Sequence, residues 1–164
     1  MPLLKDNDVI EDHWIRIDGD APLPKTGDVI VSFARLLADF GKLSKRAGRL
    51  GVEFPNAERA EVLESFLPAL SLIALPFPKF ADGRAYSQAR VIRQLGFTGE
   101  LRAVGDVLPD QLAFMREVGF DVFEITTRVA PELWQKTAQG LRLSYQPVRQ
   151  DDRLHVWRAR QLRT

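Results

Sequence analysis

The sequence predicts an α/β fold: a mainly parallel sheet of repeated βα units with helices packed on it, as an open sheet or an incomplete barrel, after an N-terminal extended arm. Three observations point there. Leu95-Gly96-Phe97 and Val118-Gly119-Phe120 share one pattern, apolar residue, glycine, aromatic, and each sits between a helical run and a strand-like run. Glycine just past a helix end adopts the left-handed conformation without a Cβ clash, and the aromatic can fold back on the last turn, pairing Phe97 with Ile92 and Phe120 with Met115. Short apolar runs also alternate with helical stripes, which implies parallel strands joined by right-handed crossovers. Finally, 164 residues suit about one domain, whereas eight βα units need about 250. We therefore expect a single domain, 1–164, with an arm at 1–27, a βα core at 28–140 and a basic segment at 141–164.

Within the arm, Ile15 and Ile17 alternate with Trp14 and Arg16, predicting one half-buried strand between Val9 and Asp18. Gly19, Pro22 and Pro24 mark a connector. Val29–Phe33 reads as a buried strand. Ala34–Ala47 carries a helical stripe of Leu36, Leu37, Phe40 and Leu43, interrupted by Gly41. Leu50–Phe54 is a strand ended by Pro55-Asn56. A helix is expected over Ala57–Leu67, capped by Asn56, with Glu58 in its first turn and Val62, Leu63, Phe66 and Leu67 as its apolar face. Leu70–Phe77 gives the clearest strand, closed by Pro76 and Pro78. Asp82 suits the cap of a helix over Arg84–Leu95. Leu101–Val104 is a strand ending at Gly105-Asp106, and Pro109 with Asp110 suits the next helix start. Val122–Ile125 is the following strand and Ala130–Gln139 a last helix ended by Gly140. Leu141–Tyr145 and Leu154–Trp157 read as short extended segments.

Composition narrows the chemistry. Net charge is +1 and there is no cysteine, which removes disulfides, thiolate catalysis and Cys-ligated zinc or iron–sulfur clusters. The start, MPLLKDNDVIEDHW, does not read as a signal peptide, and no apolar run reaches the ~20 residues of a membrane span. We expect a cytoplasmic protein without a membrane partner. His13 and His155 lie far apart, so a zinc site is not expected. G-x-G-x-x-G, G-x-x-x-x-G-K-[ST] and G-x-S-x-G are all absent, leaving the cofactor unknown, with no dinucleotide, haem, iron–sulfur or zinc signature. The last 24 residues hold six Arg with Tyr145, His155 and Trp157, a mixture that can bind nucleic acid or protein. Asp151-Asp152 and the nearly neutral whole argue against nucleic acid.

Parallel α/β folds bind ligands at the carboxyl ends of their strands. Here those ends are Pro55-Asn56, Phe77–Arg84, Gly105-Asp106 and Glu124–Thr127. Arg84, Ser87 and Arg90 recur every three residues along one helix edge, beside the positive start of that helix. With Lys79 they form a candidate anion-binding set. The competing reading is that Arg84 and Arg90 pair with Asp82, Asp106 or Glu124 and brace the loops. Asp106 and Glu124 end successive strands and could serve acid–base chemistry or hold a hard metal ion, although helix capping and solvation explain them as well, and no metal is expected. Tyr86 could hydrogen-bond an oxyanion, which makes Asp106, Glu124 and Tyr86 the candidate catalytic residues. Asp82, Gly83, Arg102, Gly105, Asp110 and Gln111 are candidates for supporting the site.

Several of these residues fall in longer motifs. They are Phe77-Pro78-Lys79-Phe80, Asp82-Gly83-Arg84, Tyr86-Ser87-x-Ala89-Arg90, Arg93, Gly96-Phe97-x-Gly99-Glu100-Leu101-Arg102-Ala103, Gly105-Asp106-Val107-Leu108, Asp110-Gln111 and Gly119-Phe120-Asp121. In these motifs, from about Asp28 to Phe123 and more loosely at Tyr145-Gln146, the chain resembles the bacterial family called domain of unknown function 934. Members are often labelled oxidoreductases of sulfite reduction, from gene neighbourhood with assimilatory sulfite reductase. The resemblance implies an accessory protein or a small-anion-binding enzyme of assimilatory sulfate and sulfite reduction, holding an oxyanion metabolite at the carboxyl-end rim. The alternative is a non-catalytic partner that docks on sulfite reductase components.

Overall fold

The computed structural model describes residues 2–125 and 129–140. The basic segment expected at 141–164, its two short extended runs and the strand end at Thr127 lie outside them. In chain order the elements are β1 (Leu3–Lys5), β2 (Asp8–Ile10), β3 (Ile15–Ile17), β4 (Val29–Ser32), α1 (Phe33–Leu43), β5 (Leu50–Glu53), β6 (Leu72–Phe77), α2 (Arg84–Gln94), β7 (Glu100–Gly105), α3 (Leu112–Val118), β8 (Val122–Glu124) and α4 (Pro131–Gly140).

The eight strands form one open sheet in the order β2-β1-β8-β7-β6-β5-β4-β3, curled into a half-barrel. It is mixed rather than mainly parallel as expected. β3 to β8 form a parallel run, but β1 lies antiparallel to both β2 and β8. The cause is a hairpin in the segment expected to be an extended arm. Asp6 and Asn7 take φ of 51° and 80°, and two left-handed residues in a two-residue loop match the twist of paired strands. Both residue types tolerate that conformation. Three strands therefore come from this segment, where the alternation predicted one.

The curl follows from a length argument. β2 and β3 occupy opposite edges, seven strand spacings apart, or about 34 Å along the sheet. Only Glu11–Trp14 joins them, and the step from Ile10 to Ile15 spans at most about 18 Å. The edges must approach each other, so the sheet wraps around this strap. Trp14 packs against Ile30, Leu72, Ala74 and Val104 on the inner face. Arg49 stacks over the Trp14 ring at 4.9 Å and pairs with Asp28. The strap's Asp12 accepts a 2.7 Å bond from Arg102 Nη1 on β7, while Arg102 Nε and Nη2 donate to Glu100. The opposite face of the sheet carries the larger core, including Val31, Val52, Ile73, Leu75 and Ala103, together with buried faces of α1 to α4.

The α-helices lie in the helical runs the sequence predicts, but with different ends: Phe33, expected in the strand, opens α1, and Pro109 opens a 3-10 turn before α3. Ser32 Oγ accepts from the Arg35 N–H and caps α1. That helix stops at Leu43, short of the expected Ala47, and Asp39 breaks it with φ −118°. Between β5 and β6 the expected α-helix is absent. Ala60–Leu63 and Leu67–Ala69 form 3-10 turns instead. Ala60 and Leu63 are buried while Val62 is 44% exposed, a three-residue spacing that suits 3.0 residues per turn. Pro68 lacks the N–H that an α-helix would donate to Glu64. Asn56 does not cap there, because its side-chain NH2 donates to Asp82.

Both glycine stops are present. The Phe97 N–H reaches the Ile92 carbonyl and the Phe120 N–H the Met115 carbonyl, with φ of 89° at Gly96 and 114° at Gly119. Around them Arg93 is a hub. Its Nε donates to Gly119 O, its Nη1 to the Phe97 and Gly99 carbonyls, and its Nη2 to Asp121, which also accepts from the Leu101 N–H.

Two stability predictions follow from this packing. An alanine Cβ at Gly119 would lie 2.6 Å from Arg93 Cγ, whereas one at Gly96 meets open space. Gly119→Ala should cost more than about 1 kcal/mol in urea unfolding, and more than Gly96→Ala, which carries the φ penalty alone. Equal midpoints would contradict this reading of Arg93. Arg102 is 1% exposed, and its removal strands two carboxylates. Arg102→Ala should lose about 3–5 kcal/mol, with Asp12→Ala losing less because Glu100 still pairs. A loss under about 1 kcal/mol for Arg102→Ala would show that water already satisfies the cluster.

Candidate functional site

The carboxyl ends of β5, β6, β7 and β8 are laced together by side chains that reach between neighbouring loops. Asn56, after β5, bonds Asp82 in the loop after β6 at 3.0 Å. The Phe80 N–H of that loop donates to Asp106 after β7, and the Phe80 carbonyl accepts from Gln111 Nε2 at 2.8 Å. Gln111 Oε1 also accepts from the Leu108 N–H. Gly105 turns the chain with φ 92°, and a Cβ there would meet the Phe77 carbonyl at 2.7 Å. Its N–H donates to Glu124 on β8.

Arg84 is exposed at the start of α2 and clamped by Asp82. Its Nε and Nη2 donate to the two carboxylate oxygens at 3.0 and 2.7 Å, and its backbone N–H donates as well. The bonds from Arg84, against a smaller opposing effect of burial, hold Asp82 at about 2, well below its ordinary 3.8. The helix cap itself is Gly83, with no side-chain bond, so Asp82 acts one residue further out than expected. Lys79, Ser87 and Arg90 are exposed, and no ion pair engages Lys79 or Arg90 among the described residues. Tyr86 packs edge-on against Phe77 and Phe114. Burial first, and then Asp110, raises its hydroxyl above 10.0.

Of the anion-binding candidates, Lys79 lies in the loop after β6 and Arg84 at the start of α2, while Ser87 and Arg90 lie further along that helix; the candidate catalytic residues point to separate partners. Asp106 is drawn to the Phe80 amide. Glu124, 5% exposed, faces the inside of the curl, where Arg16 Nη2 donates to it at 3.2 Å. Arg102, on β7, bonds the strap's Asp12 in the same concavity. Asp110 is exposed in the turn before α3. Among the described residues no group of three or more His, Cys, Asp and Glu is arranged to hold a metal ion, and no helix is long and apolar enough to cross a membrane. A cleft of about 320 Å³ lies at the opposite, amino end of the strands, lined by Leu67, Pro68, Leu95 and Phe97 among others. Glu64 and Thr98 also line it, and it holds none of the predicted site residues.

Sequence reasoning did not single out Arg16, Glu53 or Asp12. Arg16 Nη1 donates to Glu53 at 3.0 Å, so one guanidinium on β3 spans to β5 and to β8. The only sequence signal was the alternation that sets Trp14 and Arg16 on one face. Nothing local announces a partner more than a hundred residues away.

A family model described as a bacterial protein of unknown function, DUF934, matches residues 51–156. The chain belongs to this family. The match covers more than half of the chain. It includes the laced rim, Glu53, Glu124 and the Arg93 hub, and it leaves Arg16 and β1 to β4 outside. No curated protein matches the chain.

The Asp82–Arg84 clamp generates a pH prediction. Because the folded-state value lies below 3.8, the clamp's contribution is fully present above 3.8 and is lost as pH falls through about 2. Carboxyl NMR should give Asp82 a midpoint near 2, moving back toward 3.8 in Arg84→Gln. A midpoint that does not move on that substitution would remove Arg84 as the cause.

Proposed function

We propose that the chain holds a small oxyanion at the carboxyl-end rim of its sheet and serves assimilatory sulfate and sulfite reduction, as an accessory protein or as a small-anion-binding enzyme. The observation that carries this reading is the exposed cationic edge. Lys79 and Arg90 stand without an ion pair among the described residues, on either side of an Arg84 whose orientation Asp82 holds. α2 begins there; Asp82 takes the Arg84 N–H, and the positive end of the helix adds to the potential. Ser87 can add a hydroxyl donor. The sulfur context comes from the resemblance to the family. If the rim performs chemistry, Tyr86 suits hydrogen-bond donation to an oxyanion, since its raised pKa keeps the hydroxyl protonated.

A second reading has its own support. Phe114, packed on Tyr86, is 49% exposed, and Phe80 in the loop after β6 is 54% exposed. Aromatic residues next to arginine are enriched where proteins dock. This reading makes the chain a non-catalytic partner of sulfite reductase components.

Titration calorimetry with sulfite, sulfate and phosphate separates the two. Binding should be tighter at low ionic strength, and Arg84→Gln or Arg90→Gln should each weaken it by about tenfold or more, the value of a charged hydrogen bond. If both variants fold, bind anions like the parent and fully restore growth on sulfate in a deletion strain, the anion site is wrong and docking leads.

A further inference from the structure

We propose that Arg16 is a second oxyanion receptor, at the mouth of the half-barrel, with Glu53 as its exchangeable internal counter-ion. It lies on strands rather than on the rim helix and stands independently of the reading above.

The two partners of Arg16 differ sharply. Glu124 is 5% exposed and anchored by the Gly105 N–H as well as by Arg16 Nη2. It fixes one side of the guanidinium inside the curl. Glu53 reaches Arg16 Nη1 from the carboxyl end of β5 with a side chain that is 43% exposed, and the Arg16 side chain is itself 36% exposed. A pair that open to water gains little, because both ions are solvated when apart. A dissolved anion can therefore compete for the same guanidinium face. Arginine's planar fork donates to two oxygens in one plane, so the ligand class is a small oxyanion that offers a carboxylate-like bite: sulfite, phosphate or a carboxylate group.

The surroundings of Glu53 fit that exchange. Ser32 is its register neighbour on β4. Ser32 Oγ accepts from the Arg35 N–H, which leaves the hydroxyl proton available to an incoming oxygen. α1, 11 residues long, starts directly after Ser32, at the same end of the sheet as Glu53. A merely structural Arg16 would need neither an exposed partner nor a neighbouring donor.

The experiment uses the full chain carrying Arg84→Gln and Arg90→Gln, so that the rim helix does not report. Sulfite, phosphate and acetate are titrated by calorimetry at low ionic strength. Removing the internal competitor with Glu53→Gln should tighten binding about fivefold, the yield of one exposed pair. Arg16→Gln should abolish it. Preference among the three probes identifies the head group. Unchanged or weaker binding in Glu53→Gln overturns the proposal, as does an absence of binding heat in the parent of this series. Glu53 is exposed, so this variant decides the matter even if Arg16→Gln fails to fold. Anion binding lost with the rim substitutions and unaffected at Glu53 would assign the anion to the rim alone.

Discussion

Four residues, Glu11 to Trp14, connect strands at opposite edges of the sheet, and the rest of the architecture answers to that short span. A flat eight-stranded sheet would hold β2 and β3 about twice as far apart as the strap can reach. Curling resolves the conflict but creates an interior that must be filled. Trp14 fills the apolar part with Ile30, Leu72, Ala74 and Val104. Asp12 enters the polar part and meets Arg102, whose charge would otherwise be buried beside Glu100 alone. Burying a guanidinium is costly unless its donors are occupied. Here the strap that bends the sheet also supplies the carboxylate that makes the bend tolerable.

The two ends of the parallel strands are built differently. At the amino ends Arg93 binds three carbonyls and one carboxylate and joins α2, α3, β7 and β8 through backbone groups that any sequence would offer. Arg93, Gly96, Phe97, Gly99, Gly119 and Asp121 all belong to the motifs that carried the resemblance. Their spacing is thus accounted for by packing. At the carboxyl ends the ties run through side chains of Asn56, Asp82, Asp106, Gln111 and Glu124. Loops held by such ties keep a defined geometry while leaving Lys79, Arg84 and Arg90 exposed.

Much of the fold was legible because its signals are local. Leu-Gly-Phe and Val-Gly-Phe announce their own turn geometry within three residues, and the apolar runs of β4 to β8 are bounded by Pro, Gly or Asp. The hairpin at Asp6-Asn7 was missed because three-residue strands are too short to show periodicity, and with it the mixed sheet. The crossover after β5 was misread because an apolar stripe can be met by an α-helix or by 3-10 turns, and Pro68 decides between them. The rim candidates were legible as residue types at strand ends. Arg16 was not, because its role depends on a curl that only the edge-to-edge strap imposes.

This difference bears on where chemistry can occur. On the rim, Arg84 already shares its fork with Asp82, so an anion there meets a guanidinium that is partly neutralised but well oriented. In the mouth, Arg16 is divided between a buried partner and an exposed one. The first arrangement offers an anion a fixed, pre-oriented fork. The second favours exchange, since releasing Glu53 returns it to water rather than stranding it. Glu124 links the two regions, because the Gly105 amide that fixes it belongs to the turn that also positions Asp106 against Phe80. Arg16 is therefore joined to the rim's turn through one strand end and one hydrogen bond, while its exchange with Glu53 needs nothing from the rim.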